Sequence, residues 1–188
     1  AWRAFPGGPA DVVEFFSQYA DRKMVAVLEN MPLEDMRVRD RIAEVVRVRL
    51  DLLAGHREAV RRALAFLALP AHTALGVSCL ARTVDKMWRA AGDTSTDFNF
   101  YTKRGLLAGV YGATLLAWLA DETEDFSDTW AFLERRIGDV MEIQKARGRL
   151  DKIMADLPDP LAVLRRFREE SPDKTDRNGE DRPGEPSA

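Results

Sequence analysis

The 188-residue sequence has a single cysteine, Cys79, and only two histidines, His56 and His72. One cysteine excludes a disulfide framework and any cysteine-rich zinc site, and two histidines exclude a histidine-rich metal centre. Long apolar runs are also missing: none reaches the ~18 residues that a membrane-spanning helix needs. Neither sign of charge dominates. Lys and Arg number 28 against 31 Asp and Glu, for a net charge of −3 and a pI near 5.5. That balance argues against a dedicated nucleic-acid binder, which usually carries a strongly basic domain. No secretory signal is visible, although a sequence that starts at Ala1 rather than methionine says little about its parent protein. Alternating β-branched runs bounded by turns are absent, so no strand is expected. From Ser171 to Ala188 there is no Leu, Ile, Val, Phe, Trp or Met. Such a segment cannot bury enough apolar surface to offset its ordering entropy, and 171–188 reads as a disordered tail.

What is present is a helical period. Hydrophobic residues make up 46% and charged residues 31%, the balance of a globular chain, and the length fits one domain. After Pro9, residues Val12, Phe16, Tyr19, Met24 and Val27–Leu28 fall roughly on one face, and Asn30 and Pro32 punctuate the end of that helix. Val38, Ile42, Val45–Val46 and Leu50 form a second stripe, interrupted at Gly55. A third helix is expected from Arg57 until just before Pro70, because the residue preceding a proline disfavours helical backbone. A fourth runs from about Leu75 to Ala91 with Gly92 as its C-terminal cap. A polar loop ends at Asp97, a residue suited to capping the next helix. That next helix, reaching about Ala120, is apolar nearly all round, the pattern of a buried central element. A final long helix starts near Ser127, and Asp156–Pro160 breaks it. The reading is all-α with about six or seven helices: a domain over 1–157, a short amphipathic segment at 158–170, and the tail. In that segment Leu161, Val163–Leu164 and Phe167 alternate with Arg165, Arg166 and Arg168, consistent with an interfacial helix.

Catalytic chemistry is hard to find. A nucleophile needs a base and an orienting group, and Cys79, among Val77 and Leu80, reads as a small buried hydrophobe. His72 and His56 sit at helix junctions and read as packing or capping residues. Di-iron bundle sites use Glu-x-x-His pairs, and the sequence has none. Asp121, Glu122, Glu124 and Asp125 read as a solvated loop between two helices, too irregular for calcium. No phosphate-binding glycine loop is present. The residues argue against an enzyme. Arg37, Arg39, Arg41, Arg47 and Arg49, interleaved with Asp35, Asp40 and Glu44, read as a salt-bridged exposed face, with anionic lipid or nucleic acid as the sharper alternative. The apolar stretch Leu106–Leu119 is either packed core or the wall of an elongated lipid pocket, since helical bundles place ligand sites between helices.

One string stands out: TVDKMWRAAGDTSTDFNFYTKRGLLAGVY, from Thr83 to Tyr111. It resembles the signature of the ubiquinone-biosynthesis accessory protein family, lipid-binding coenzyme Q proteins with a Tet-repressor-like fold. DFSDTWAFLERRI, Asp125–Ile137, is similar to the same family at the expected distance, and FPGGPADVVEFFSQYAD resembles its first helix after a helix-turn-helix-like portion. The resemblance covers roughly Ala1–Val140. It implies a Tet-repressor-like helical bundle, usually without repressor function, that binds aromatic isoprenoid lipids and presents them to a di-iron hydroxylase. The iron would then belong to the partner, and this chain would need no cofactor. It further implies a homodimer, peripheral attachment to a membrane surface and no nucleic-acid partner. The location would be the bacterial cytoplasmic face of the inner membrane, or the mitochondrial matrix side in a eukaryote.

Carried onto this sequence, the family's hydroxylase-binding patch falls on Asp85, Met87, Trp88, Asp97, Phe100, Tyr101 and Arg104, with Phe100 where the family often has Trp. Exposed Trp, Tyr and Arg are the residue types that dominate interface energies. The lipid pocket, chosen by helix face, is expected at Leu75, Leu80, Leu107, Val110, Tyr111, Leu115 and Trp118. Two departures stand beside the resemblance: the helix-turn-helix-like N-terminal portion is mostly missing from the sequence, and the C-terminal amphipathic segment is short. The rival readings are the ligand-binding domain of a Tet-repressor-like regulator, which would need a basic helix-turn-helix upstream, and an enzyme with an unrecognised site.

Overall fold

A computed structural model describes residues 5–93 and 98–155, with side chains described at 5–93 and 101–143. Six α-helices appear among them: α1 Pro9–Leu28, α2 Val38–Asp51, α3 Arg57–Leu67, α4 Thr73–Ala90, α5 Phe98–Ala120 and α6 Ser127–Ala155. Short 3-10 turns at Leu33–Asp35, Ala54–His56, Pro70–His72 and Glu124–Phe126 join them, and the described residues contain no strand. One compact unit spans Ala1–Ile143. A second comprises Gln144–Ala188, of which the described part is helical through Ala155. The amphipathic segment 158–170, the tail and Asp97 lie outside the described residues.

Local chemistry sets the helix ends. Gly8 adopts φ 69° just before Pro9, which enters α1 at its first position, and the Gly7 N–H donates to Asp11 Oδ2 at 2.6 Å. Gly92 follows α4 with φ 86°, left-handed backbone that favours glycine; a Cβ there would also lie 3.1 Å from Arg41 Nη1. Arg41 itself donates to the carbonyls of Met36, Glu34 and Ala91, tying the start of α2 to the end of α4. The last carbonyls of α5 are met in the same manner. Arg57 Nη2 donates to Trp118 O at 2.7 Å and Asp121 O at 2.8 Å, and Arg61 Nη2 donates to Leu119 O at 2.9 Å. Arginines from α3 thus satisfy carbonyls that a helix terminus leaves without partners.

Asp121 departs from its expected place in a solvated loop. It is 7% exposed and accepts from the backbone N–H and hydroxyl of Thr129, at 2.8 and 2.6 Å, and from both donors of Thr123. Burial pushes its carboxyl up, but those four hydrogen bonds outweigh burial and hold it far below the ordinary range. The sequence reading passed over it because a run of four acidic residues in a turn looks like solvent-facing charge.

Met24, Leu28, Val45, Val46, Leu50, Val84, Met87, Trp118, Leu133 and Ile137 belong to a single hydrophobic core. α4 packs against α1, α2, α3 and α5. The expected central helix, α5, buries only a stripe: Leu107, Val110, Tyr111, Leu115 and Trp118 face inward, while Leu116 is 62% exposed. Its near-uniform apolar composition hides an ordinary one-sided helix, with Gly105 and Gly109 on its more open positions.

Candidate functional site

A cavity of about 390 Å³ opens between the first five helices. α1 contributes Val13, Phe16 and Ser17; α3 contributes Val60, Ala63, Leu64 and Leu67; α4 contributes Gly76, Cys79, Leu80 and Thr83; and α5 contributes Tyr111, Gly112, Leu115 and Leu116. A second space of about 700 Å³ is lined by Phe5, Pro9, Val12, Ala59, Arg62 and Phe66, and shares Val13, Phe16 and Ala63 with the first. The two adjoin along the α1–α3 wall through these shared residues and together make an apolar hollow. Pockets for small apolar ligands are typically about 300–1,000 Å³. Its shape follows from small residues. At Gly76 an added Cβ would sit 3.4 Å from Leu67 Cβ, so α3 and α4 approach closely. At Gly112 it would meet nothing within 4 Å, which leaves α5 without a side chain where it faces the hollow.

Of the residues expected to line a lipid pocket, Leu80, Tyr111 and Leu115 line this cavity. Leu107, Val110 and Trp118 do not: they are 2%, 7% and 0% exposed and belong to the packed core. Leu75 is half-buried on α4 and is not among the lining residues of either space. The helix-face choice erred because α5 turns two adjacent flanks inward, one to the core and one to the hollow, and apolar composition does not distinguish them.

The cavity also contains charge, which the sequence reading placed outside. Arg49 is 4% exposed and lines the cavity. Its Nη2 lies 3.1 Å from Oδ1 of Asp21, which is fully buried, and 3.4 Å from Ser17 O. The Thr83 hydroxyl donates to the same Asp21 oxygen at 2.8 Å. α1, α2 and α4 therefore meet at one polar node on an apolar wall. The other arginines of the series behave differently. Arg37 and Arg39 pair with Asp40 and Glu134 at the surface, and Arg47 lies over Trp130 at 4.7 Å. A sequence signal for the node existed: Asp21 falls three residues before Met24, and Arg49 three and four after Val46 and Val45, so both charges occupy core register positions.

The surface expected to dock a partner lies where α4 ends and α5 begins. Asp85 binds Arg89 at 2.8 Å and Arg104 at 2.9 Å; Arg104 also reaches Asp93 at 3.3 Å, and Lys103 binds Asp93 at 2.8 Å. Half-buried Trp88 donates its Nε1–H to Lys103 O at 3.0 Å, with Lys103 Nζ 5.7 Å above its ring. Tyr101 is 73% exposed. Met87 is fully buried on the core side of α4 and is not part of any surface, because one residue separates it from the outward-leaning Asp85 register. Asp97 and the Phe100 side chain lie outside what is described.

Cys79 is buried and free, and Arg82 donates to its sulfur at 3.4 Å. His72 stacks on Phe66 with ring centroids 3.9 Å apart, and His56 meets Phe16 edge-on. Among the described residues, no group of three His, Cys, Asp or Glu is placed to hold a metal ion, and no single helix is long and apolar enough to cross a membrane.

The fold class follows from the helix arrangement. The fold is that of the TetR regulators: a TetR transcriptional regulator from Nitrosomonas europaea superposes with a TM-score of 0.54 at 24% identity, over 64% of this chain and 66% of that one. On that fold the sequence carries a narrower likeness. Residues 73–144, from the start of α4 into α6, match the COQ9 family. The rat ubiquinone biosynthesis protein COQ9, mitochondrial, is 45% identical over 102 residues, and its human counterpart 44%. These matches take in 54% of this chain but only about a third of either relative, at 33% and 32%. The matched segment contributes the α4 and α5 walls of the cavity and the Asp85–Arg104 surface.

Proposed function

We propose that this chain is a lipid-binding accessory protein of ubiquinone biosynthesis rather than an enzyme. It holds an aromatic isoprenoid intermediate in the hollow between α1, α3, α4 and α5. It offers that lipid to a di-iron hydroxylase that docks on the surface around Tyr101 and Arg104. The observation that carries this reading is the apolar hollow, whose walls include the segment similar to COQ9. Each buried CH₂ of an isoprenoid tail contributes about 0.8 kcal/mol, so a long tail binds firmly with few polar contacts. The iron and the oxidation belong to the partner. The relatives are named mitochondrial, which favours the matrix side of the mitochondrial inner membrane over the bacterial alternative. A peripheral membrane position and a homodimer complete the proposal.

A blocking substitution tests it. Ala63 lines both spaces, so Ala63→Trp fills their junction. Loss of bound lipid in a variant with unchanged helical circular dichroism is the expected result. Undiminished loading contradicts the pocket.

The second reading, a ligand domain of a transcriptional regulator, draws on the TetR fold alone. Specific DNA binding by the full-length protein, released by a small ligand, would favour it.

A further inference from the structure

Arg49 is the charged residue of the cavity wall, and an apolar tail does not explain it. Buried polar atoms in native proteins are almost always hydrogen-bonded, and each exception calls for a reason. Arg49 uses Nη2 on Asp21 and Ser17, but its Nε and Nη1 are buried with no partner, and so is Asp21 Oδ2. The side chain is 4% exposed and lines the cavity, so these idle donors lie at the cavity wall, shut off from bulk solvent. Charge narrows the choice of ligand. Asp21 already balances the guanidinium at 3.1 Å, and an anionic head would add a second negative charge in a poorly screened site. A neutral oxygen acceptor uses the idle donors without disturbing that balance. Apart from Ser17, Arg49, Thr83 and the Tyr111 hydroxyl, the lining side chains are aliphatic, aromatic or sulfur-bearing, so most of the ligand is apolar.

Resting on the lipid-carrier reading, we infer that Arg49 is the head-group anchor of this cavity. Its free N–H groups donate to a neutral carbonyl oxygen on an apolar ligand, and Asp21 and Thr83 hold the guanidinium in place. The carbonyl marks the deep end of the site, and the tail runs past Phe16 and Ala63 toward Phe66. Arg49 is thereby a specificity-determining residue: it selects oxygen-bearing rings or esters over plain hydrocarbon.

Matched probes decide the matter on the full chain. Decylbenzoquinone and decylbenzene share a decyl tail on a planar six-membered ring, but the first alone carries ring carbonyls, and methyl decanoate offers an ester carbonyl on a similar tail. Isothermal titration on the wild-type protein should give decylbenzoquinone an advantage of about tenfold or more over decylbenzene, the value of one hydrogen bond from a charged donor. In the double variant Arg49→Met with Asp21→Asn, which removes both charges together and leaves Thr83 an acceptor, that advantage should vanish while decylbenzene affinity stays. Preference for the quinone identifies a ring carbonyl, and equal preference for methyl decanoate identifies a carbonyl of either kind; both support the anchor. Equal wild-type affinity for decylbenzoquinone and decylbenzene overturns it, as does a preference that survives in the variant. If neither carbonyl probe nor decylbenzene binds, the carrier reading falls, and the anchor with it. The wild-type comparison stands even if the variant does not fold.

Discussion

Asp21 and Arg49 face each other at 3.1 Å with almost no exposure. A buried pair of this kind seldom contributes much net stability, but removing one member strands the other in a poorly solvated site. Arg49→Met alone should therefore cost about 3–5 kcal/mol in urea unfolding, and Arg49→Met combined with Asp21→Leu should recover most of it. At the proposed partner surface the order of sensitivity is reversed. Arg104 bridges Asp85 and Asp93, so Arg104→Ala disturbs the fold locally and is a poor probe of docking. Tyr101, 73% exposed, offers the most surface to a partner. Tyr101→Ala should weaken capture of the hydroxylase by at least about tenfold, the loss of an interface hot spot, with lipid loading unchanged. Equal capture by both proteins would move the docking surface elsewhere. The residue types at this surface were legible in the sequence from the Thr83–Tyr111 string. The buried node was not, because alternating Arg and acidic residues on α2 look like a solvated face unless each is checked against the helical register.

The helices were the most legible level. The 3.6-residue period, Pro9, Pro70 and Gly92 locate α1 to α6 to within a few residues, since these signals act on backbone chemistry alone. What joins the helices was less visible. The start of α6 depends on Asp121, whose two oxygens take four hydrogen bonds from Thr123 and Thr129. Asp121→Ala leaves buried donors without acceptors and should destabilise by about 1–3 kcal/mol. The pH dependence has a definite sign. The Asp121 carboxyl lies well below its ordinary value of 3.8 in the folded protein. Its contribution is therefore fully present above that value and fades as pH falls toward the depressed folded pKa. The stability gap between wild type and Asp121→Asn, measured by urea unfolding, should be constant from pH 7 to about pH 5 and shrink below about pH 4. A gap that widens on acidification would contradict the assigned bonds.

At the scale of the whole molecule, a TetR-type bundle is combined with an apolar hollow lined by α1, α3, α4 and α5. The sequence pointed to the fold through the resemblance and the helical period, and it marked α5 as an apolar wall. It missed α1 and α3 as the other walls, because Val13, Phe16 and Ala63 carry no signal beyond ordinary amphipathicity. It also missed Gly112, whose lack of a side chain leaves the α5 wall open. Gly112→Ala should raise stability by about 1 kcal/mol through helix propensity, while its methyl enters the hollow and weakens lipid binding. Leu107→Trp, by contrast, overpacks the core at a 2% exposed position and should cost about 1–3 kcal/mol without touching the hollow. The central claim is that the hollow holds a lipid. Organic extraction of the purified full-length protein, followed by mass spectrometry against a protein standard, tests it most directly. The account predicts an isoprenoid quinone or its aromatic precursor near one per chain, and its loss in Ala63→Trp. Extracts without lipid, or with the same bulk phospholipid in wild type and variant, would contradict it.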